Sequence, residues 1–366
     1  MSADPARAAL DAELLAWMRE EPWRFDERRF ERLALALFEF QLAHCEPYAR
    51  FCAGRGIAPG RAASWREIPS VPTGAFKELA LRSFPAEREC HLFRTSGTSA
   101  GKRGELHLDT LALYEAALAP SFQHFVLPNL VPGRRARIRV LAPSPEEAPD
   151  SSLSHLFGCA LRVFGDAESG FDLGRGVLLV DPLVARLEAA SAGAVPVALC
   201  GTAFSFVHLL DALDARGLRL ELPEGSVAME TGGFKGRSRE LSRGALYEAI
   251  ERGLGILPAR VVNQYGMTEL ATSFYDSILC HPTQPRRKLG PPWARVRVVD
   301  PETGADAAPG DVGALSIVDL ANSGSVLALQ TADLGRALLD GFEVIGREPG
   351  AESRGCSIAA DAMLAP

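Results

Sequence analysis

The apolar positions of this chain fall into two textures. From Asp26 to Cys52 they recur at three- and four-residue spacings, with Phe30, Leu33, Leu37 and Phe40 in one stripe, which predicts an amphipathic helix with its apolar face on a core. Leu108 to Phe125 predicts another helix. Ile138 to Ala142 is strand-like and runs into a Pro-rich break at Pro143 to Pro149. Val177 to Asp181, Val195 to Cys200 and Ser226 to Glu230 then read as short buried strands, separated by helices over Pro182 to Ser191 and Ser205 to Arg216. Alternation of this kind predicts an α/β fold with parallel strands flanked by helices. After Gly290 the texture changes. Arg295 to Asp300, Gly313 to Asp319 and Ser325 to Gln330 are strands joined by Gly and Pro turns, a pattern expected of a small β subdomain. The organisation expected is a core over 1–345, with a helical part over 1–55 and the β subdomain over about 290–345, followed by a tail over 346–366.

Candidate chemistry is concentrated where these elements end. Thr95, Ser96, Gly97, Thr98 and Ser99, followed by Gly101, Lys102, Arg103 and Gly104, crowd hydroxyls, glycines and positive charge into one loop after Leu92 and Phe93. Backbone N–H groups and hydroxyls of such a loop can wrap a polyphosphate; an ordinary Ser/Gly turn has the same composition. It is not a Walker A loop, because Gly97 to Gly101 is one residue too short and Arg103 stands where Ser or Thr should hold Mg²⁺. Val261 to Glu269 reads as a buried strand entering a tight turn at Gly266. That turn presents Tyr265 to stack on a purine, Thr268 to bond an α-phosphate oxygen, and Glu269 as a hard oxygen ligand for Mg²⁺.

Farther on, Asp333 follows an apolar run at Leu329, and Arg347 follows Val344, Ile345 and Gly346. Asp333 suits two ribose hydroxyls or a turn cap, and Arg347 taken singly is a solvated surface charge. Lysine adds a separate signal: in an Arg-rich chain it occurs only at Lys77, Lys102, Lys235 and Lys288, three of them inside the segments singled out by their motifs. Cys356, beside Arg354 and Gly355, is either a small hydrophobe or a nucleophile, since a nearby cation lowers a thiol pKa from about 8.5.

The order Thr-Ser-Gly-Thr, Tyr-Gly-x-Thr-Glu, Thr-x-Asp and Gly-Arg resembles that of the adenylate-forming superfamily of acyl and aryl ligases. Within it the chain resembles the LuxE acyl-protein synthetase family. The narrower resemblance is carried by Ile68 to Pro72 with Phe76 and Lys77, by Ser151 to Leu153, by Thr231, Gly232, Gly233, Phe234, Lys235 and Gly236, and by Cys356. It implies the large-domain fold of adenylate-forming enzymes without their usual mobile C-terminal domain. It also implies activation of a carboxylic acid, a fatty acid in the family, as acyl-AMP with release of pyrophosphate. The acyl group would then pass to Cys356 as a thioester and onward to a partner such as an acyl reductase.

By the same resemblance Thr95, Ser96, Gly97, Thr98 and Ser99 surround pyrophosphate, and Gly232, Gly233, Tyr265 and Gly266 belong to the nucleotide site. Thr268 and Glu269 meet phosphate and Mg²⁺, Asp333 meets ribose, Arg347 meets ribose or the carboxylate, and Lys102 or Arg103 is the phosphate cation. ATP and Mg²⁺ are the implied cofactors. Two departures from the superfamily pattern are Ala100 to Arg103, in place of Gly-Pro-Lys, and Ala332 before Asp333. Two alternatives remain: a ligase that transfers to coenzyme A or a carrier protein with Cys356 structural, and a non-catalytic partner subunit that keeps the fold.

Composition agrees with a cytoplasmic enzyme. A net charge of -7 offers no global attraction to nucleic acid, and no apolar run approaches the roughly 20 residues of a spanning helix. Cys45, Cys52, Cys90, Cys159, Cys200 and Cys280 form no Cys-x-x-Cys pair, and the seven histidines are scattered without metal-ligand spacing.

Overall fold

The computed structural model describes residues 4–95, 102–232 and 242–347, which divide into two units. One unit consists of Ser121–Tyr265 and Phe274–Arg287. Its sheet runs in the order Gly170–Phe171, Arg137–Leu141, Val197–Thr202, Val227–Thr231, Val261–Tyr265 and Phe274–Asp276. Neighbours are parallel except the last, which returns antiparallel to Val261–Tyr265. Helices Val180–Ala192, Ala203–Ala215 and Arg243–Leu254 pack Leu187, Phe206, Leu209 and Ile250 into one core with Leu199, Ala228 and Val261 of the strands. Caps start two of these helices: Thr202 Oγ1 accepts from Ser205 N at 3.1 Å, and Ser242 Oγ accepts from Ala245 N at 3.2 Å.

The other unit consists of the described parts of Met1–Pro120, Gly266–Ser273 and Lys288–Pro366. Ala294–Val299, Val312–Asp319, Ala328–Leu338, Gly341–Arg347 and Lys288–Leu289 form an antiparallel sheet in that order, with Val71–Pro72 parallel to Ala328–Leu338. A separate hairpin pairs His91–Arg94 with Glu105–Leu108. Helices Pro5–Met18, Glu27–His44 and Glu46–Ala53 bury Trp17, Phe30, Leu33, Leu37 and Tyr48. Phe30 meets Trp65 edge-on, with ring centroids 5.4 Å apart.

The mixed α/β architecture with parallel strands is the one expected from the apolar pattern, and four local differences have clear causes. The helix expected from Asp26 to Cys52 breaks at Cys45, because Pro47 lacks an N–H and is tolerated only in the first turn of the new helix Glu46–Ala53. The helix expected from Leu108 begins instead at Ala112, since Leu108 closes the strand Glu105–Leu108. Val177–Leu178 is a two-residue strand, Val177 exposed and Leu178 half-buried, folded back on Leu173–Gly174. Arg175 and Gly176 both have positive φ, 51° and 75°, and so form a tight hairpin turn. Helices Ser152–Phe164 and Arg243–Leu254 follow serine caps in segments without a predicted element. Among the described residues no helix is long and apolar enough to cross a membrane.

Candidate functional site

The hairpin His91–Arg94/Glu105–Leu108 sets the neck of the Ser/Gly loop. Thr95 N–H donates to the Gly104 carbonyl at 2.9 Å, and Gly104 N–H donates to Thr95 Oγ1 at 2.9 Å. Arg103 adds its Nε to the Thr95 carbonyl at 2.6 Å and its Nη2 to the Arg94 carbonyl at 3.2 Å. The guanidinium fork therefore holds main chain at the neck. Lys102 is exposed and pairs with Glu78 at 3.4 Å, an exposed ion pair of little energetic weight. Ser96, Gly97, Thr98 and Ser99 lie outside the described residues, as do Gly233 and Cys356.

Gly266–Ser273 belongs to the same unit as this hairpin. Thr268 Oγ1 donates to the Arg94 carbonyl at 3.4 Å, so Thr95, Gly104, Thr268 and Glu269 come together. A Cβ at Gly104 would fall 3.1 Å from Thr95 Cγ2 and 3.4 Å from Glu269 Oε1, so only glycine leaves that space open. Glu269 is 7% exposed. Burial pushes its carboxyl up to about 7, against the pull of its own backbone N–H and of Arg347 and Lys77; Asp333 adds to the upward push.

Asp333 and Arg347 face each other across the strands Ala328–Leu338 and Gly341–Arg347, and Arg347 Nε donates to Asp333 Oδ1 at 2.9 Å. Thr331 Oγ1 accepts from Asp333 N–H at 3.1 Å. Lys77, at the end of the 3-10 turn Thr73–Lys77, completes the charged surroundings of Glu269.

In the parallel-sheet unit, Gly232 and Tyr265 stand at the carboxyl ends of adjacent parallel strands, where ligands of open α/β sheets bind. Gly232 has φ 79°, a left-handed conformation that favours glycine. Tyr265 lies opposite Phe274, with ring centroids 6.4 Å apart. The two strands are tied by buried polar contacts: Thr231 Oγ1 bonds Gln264 Oε1, and Asn263 Nδ2 donates to Glu230 Oε1 at 2.7 Å. Tyr247 OH donates to the same Glu230 oxygen at 3.0 Å. The motif reading did not select Glu230 or Asn263, nor Lys77 for a role beside Glu269. For Lys77 the scarcity of lysine was the available signal.

The fold is that of the adenylate-forming ligases. Solved structures of 2-hydroxyisobutyryl-CoA ligase share it. The post-adenylation state in complex with R3-HIB-AMP has a TM-score of 0.62 at 15% identity, over 91% of this chain and 73% of that one. The thioesterification state has a TM-score of 0.61 at 14% identity, over 89% and 69%. ATP-bound MatB from Rhodopseudomonas palustris matches at 16% identity over 72% of this chain with a TM-score of 0.48, and the chain spans about half of its length, 49%.

A family model described as acyl-protein synthetase, LuxE, matches residues 174–364, and the chain belongs to that family of ligases. A relative from Aliivibrio fischeri, named long-chain-fatty-acid--luciferin-component ligase, is 21% identical over 331 residues, 88% of this chain and 83% of its own.

Proposed function

We propose that the protein activates a carboxylic acid, by family a long-chain fatty acid, with ATP, and passes the acyl group to Cys356 for delivery to a partner such as an acyl reductase. The observation that carries this reading is the buried Glu269 carboxylate, beside Thr268, Thr95 and the open face of Gly104, with Lys77 and Arg347 near it. A carboxylate pushed up to about 7 by burial regains its charge when a dication sits beside it. Among the described residues no group of three His, Cys, Asp or Glu side chains could hold a metal alone. Mg²⁺ takes one or two carboxylates and fills its shell with phosphate oxygens and water, a need that a single carboxylate such as Glu269 meets. Bound at Glu269, Mg²⁺ would neutralise charge on the phosphates.

In the first half-reaction a carboxylate oxygen of the acid attacks the α-phosphorus, the bond to the β-phosphate breaks, and pyrophosphate leaves. Thr268 and the loop hydroxyls of Thr95, Ser96, Thr98 and Ser99 are assigned to the phosphates, with Lys102 as the phosphate cation while Arg103 holds the neck. Asp333 is assigned to ribose, supported by Arg347, and Tyr265, Gly232, Gly233 and Gly266 to the adenosine. In the second half-reaction the Cys356 thiolate attacks the acyl carbonyl carbon, the bond to AMP breaks, and AMP leaves; the thiol proton goes to solvent. The chain 1–345 forms the catalytic core in this reading, and 346–366 the acyl-accepting tail.

The test is intact mass after incubation with Mg-ATP and a panel of fatty and aromatic acids, with a hydroxylamine chase. An acyl adduct that hydroxylamine removes, absent from Cys356→Ala, is expected. Pyrophosphate release without an adduct would move the acceptor to coenzyme A or a carrier protein, and neither signal with any acid would leave a non-catalytic subunit.

A further inference from the structure

The segment that carries Thr268 and Glu269 is held by a buried polar clamp. Within the segment Leu270 N–H bonds the Met267 carbonyl at 3.2 Å. Asn322, in the turn after the strand Val312–Asp319, is 1% exposed. Its Nδ2 donates to the Glu269 carbonyl at 2.8 Å and lies 3.4 Å from the Val326 carbonyl, and its Oδ1 accepts from Ala271 N–H at 3.0 Å. One short amide therefore grips the main chain on both sides of Leu270. Asp319 grips the next residue, accepting from Thr272 N at 2.8 Å and Thr272 Oγ1 at 2.7 Å. Behind Asn322 stands Gln41 of the helix Glu27–His44. Its Nε2 donates to the Asn322 carbonyl at 3.0 Å, and its Oε1 accepts from Leu327 N–H at 2.9 Å.

From this geometry we infer that Asn322, backed by Gln41, is the positioning residue for Glu269, fixing the backbone from which the carboxylate reaches the metal-bound phosphates. The inference rests on the acid-activating reading above. Its physical basis is that a ligand carboxylate works only when held within about 0.5 Å of its productive place, and that supporting contacts do the holding. Asn meets the requirement because it brings a donor and an acceptor on one short stem. Asp in its ionised form would set an oxygen against the Glu269 carbonyl, and Leu would leave the Glu269 carbonyl and the Ala271 N–H buried without a bond.

A purely structural role would also lower stability, so the test needs a control from the same turn. Ser325 is equally buried, and its Oγ donates to the Leu81 carbonyl at 2.6 Å, away from Gly266–Ser273. ATP–pyrophosphate exchange, calorimetric binding of Mg-ATP and thermal midpoints would be measured for Asn322→Ala, Ser325→Ala, Glu269→Gln and the double variant Asn322→Ala/Glu269→Gln.

Asn322→Ala is expected to lower exchange by about 10- to 100-fold, to weaken Mg-ATP binding, and to leave the KM of the acid unchanged. Ser325→Ala should lower the midpoint with less than about a twofold change in exchange, and Asn322→Ala should add less than about twofold in the Glu269→Gln background. Equal exchange losses in Asn322→Ala and Ser325→Ala, or multiplicative losses in the double variant, would overturn the assignment alone. Absence of exchange in the wild type would overturn the acid-activating reading and the assignment with it. If Asn322→Ala does not fold, the isosteric Asn322→Asp enters the same cycle at a pH where Asp is ionised.

Discussion

The interior under the parallel sheet and the interior around Glu269 are built from different materials. In the first, Leu199, Phe206, Leu209, Leu213, Ile250 and Val261 fill the space between strands and helices with apolar side chains. In the second, Gln41, Thr272, Asp319 and Asn322 are buried together, each tied by hydrogen bonds to backbone or to one another. An apolar core tolerates substitution of similar volume. A buried polar network does not, because each lost partner strands another group. The lesson is that folding energy and site geometry are supplied by separate regions, so they should respond separately to mutation.

Glu269→Gln tests this separation most sharply. Exchange should fall by about 100-fold or more, while the thermal midpoint holds or rises because a desolvated carboxyl has been replaced by a neutral isostere. A large loss of stability would tie the residue to folding instead. Leu209→Ala is the converse, costing about 2–5 kcal/mol of stability by the cavity it leaves, with exchange per folded molecule unchanged in urea-calibrated samples. Asp319→Asn belongs to both classes: one amide hydrogen faces Thr272, about 1–3 kcal/mol is lost, and exchange should drop with it. Unchanged exchange in this variant would confine Asp319 to a folding role.

Per unit of pH, the smallest effect is that of titration. Burial raises Asp319 from 3.8 to about 6 and Glu269 from 4.5 to about 7. In both cases the folded chain binds the proton more tightly than the unfolded one, so their contribution to stability is greatest at low pH. It declines as pH rises from the unfolded values through the folded ones, by at most about 1.4 kcal/mol per pH unit for each proton. Denaturant titrations from pH 4 to 8 should show a shallower decline in Glu269→Gln than in wild type, and identical slopes would contradict the raised value.

The same division explains what could be read from the sequence. The parallel strands and their helices were legible because contiguous apolar runs and helical spacing are local signals, and Tyr265, Thr268 and Glu269 were legible because a strand ending in a Gly turn presents them. Asp333 and Arg347 were legible as residues, but their cross-strand pairing needs the hairpin register. Asn322 and Asp319 carried no local signal. They act on Glu269 and Thr272 across 53 and 47 residues, and a lone Asn after Leu320 and Ala321 looks like any turn residue. The sequence left the phosphate cation open between Lys102 and Arg103, and the contacts of Arg103 at the Thr95 and Arg94 carbonyls give it a different role, bracing the neck.

The hairpin bearing Asp333 and Arg347 ends at Leu339, fully exposed beyond Leu338. Asp333 and Leu338 are five residue steps apart, roughly 17 Å at the rise of an extended chain. That tip is a handle. A short peptide inserted there would ride on the same hairpin as Asp333 without entering its surroundings, so the protein could be captured by that tip with the Asp333–Arg347 pair untouched.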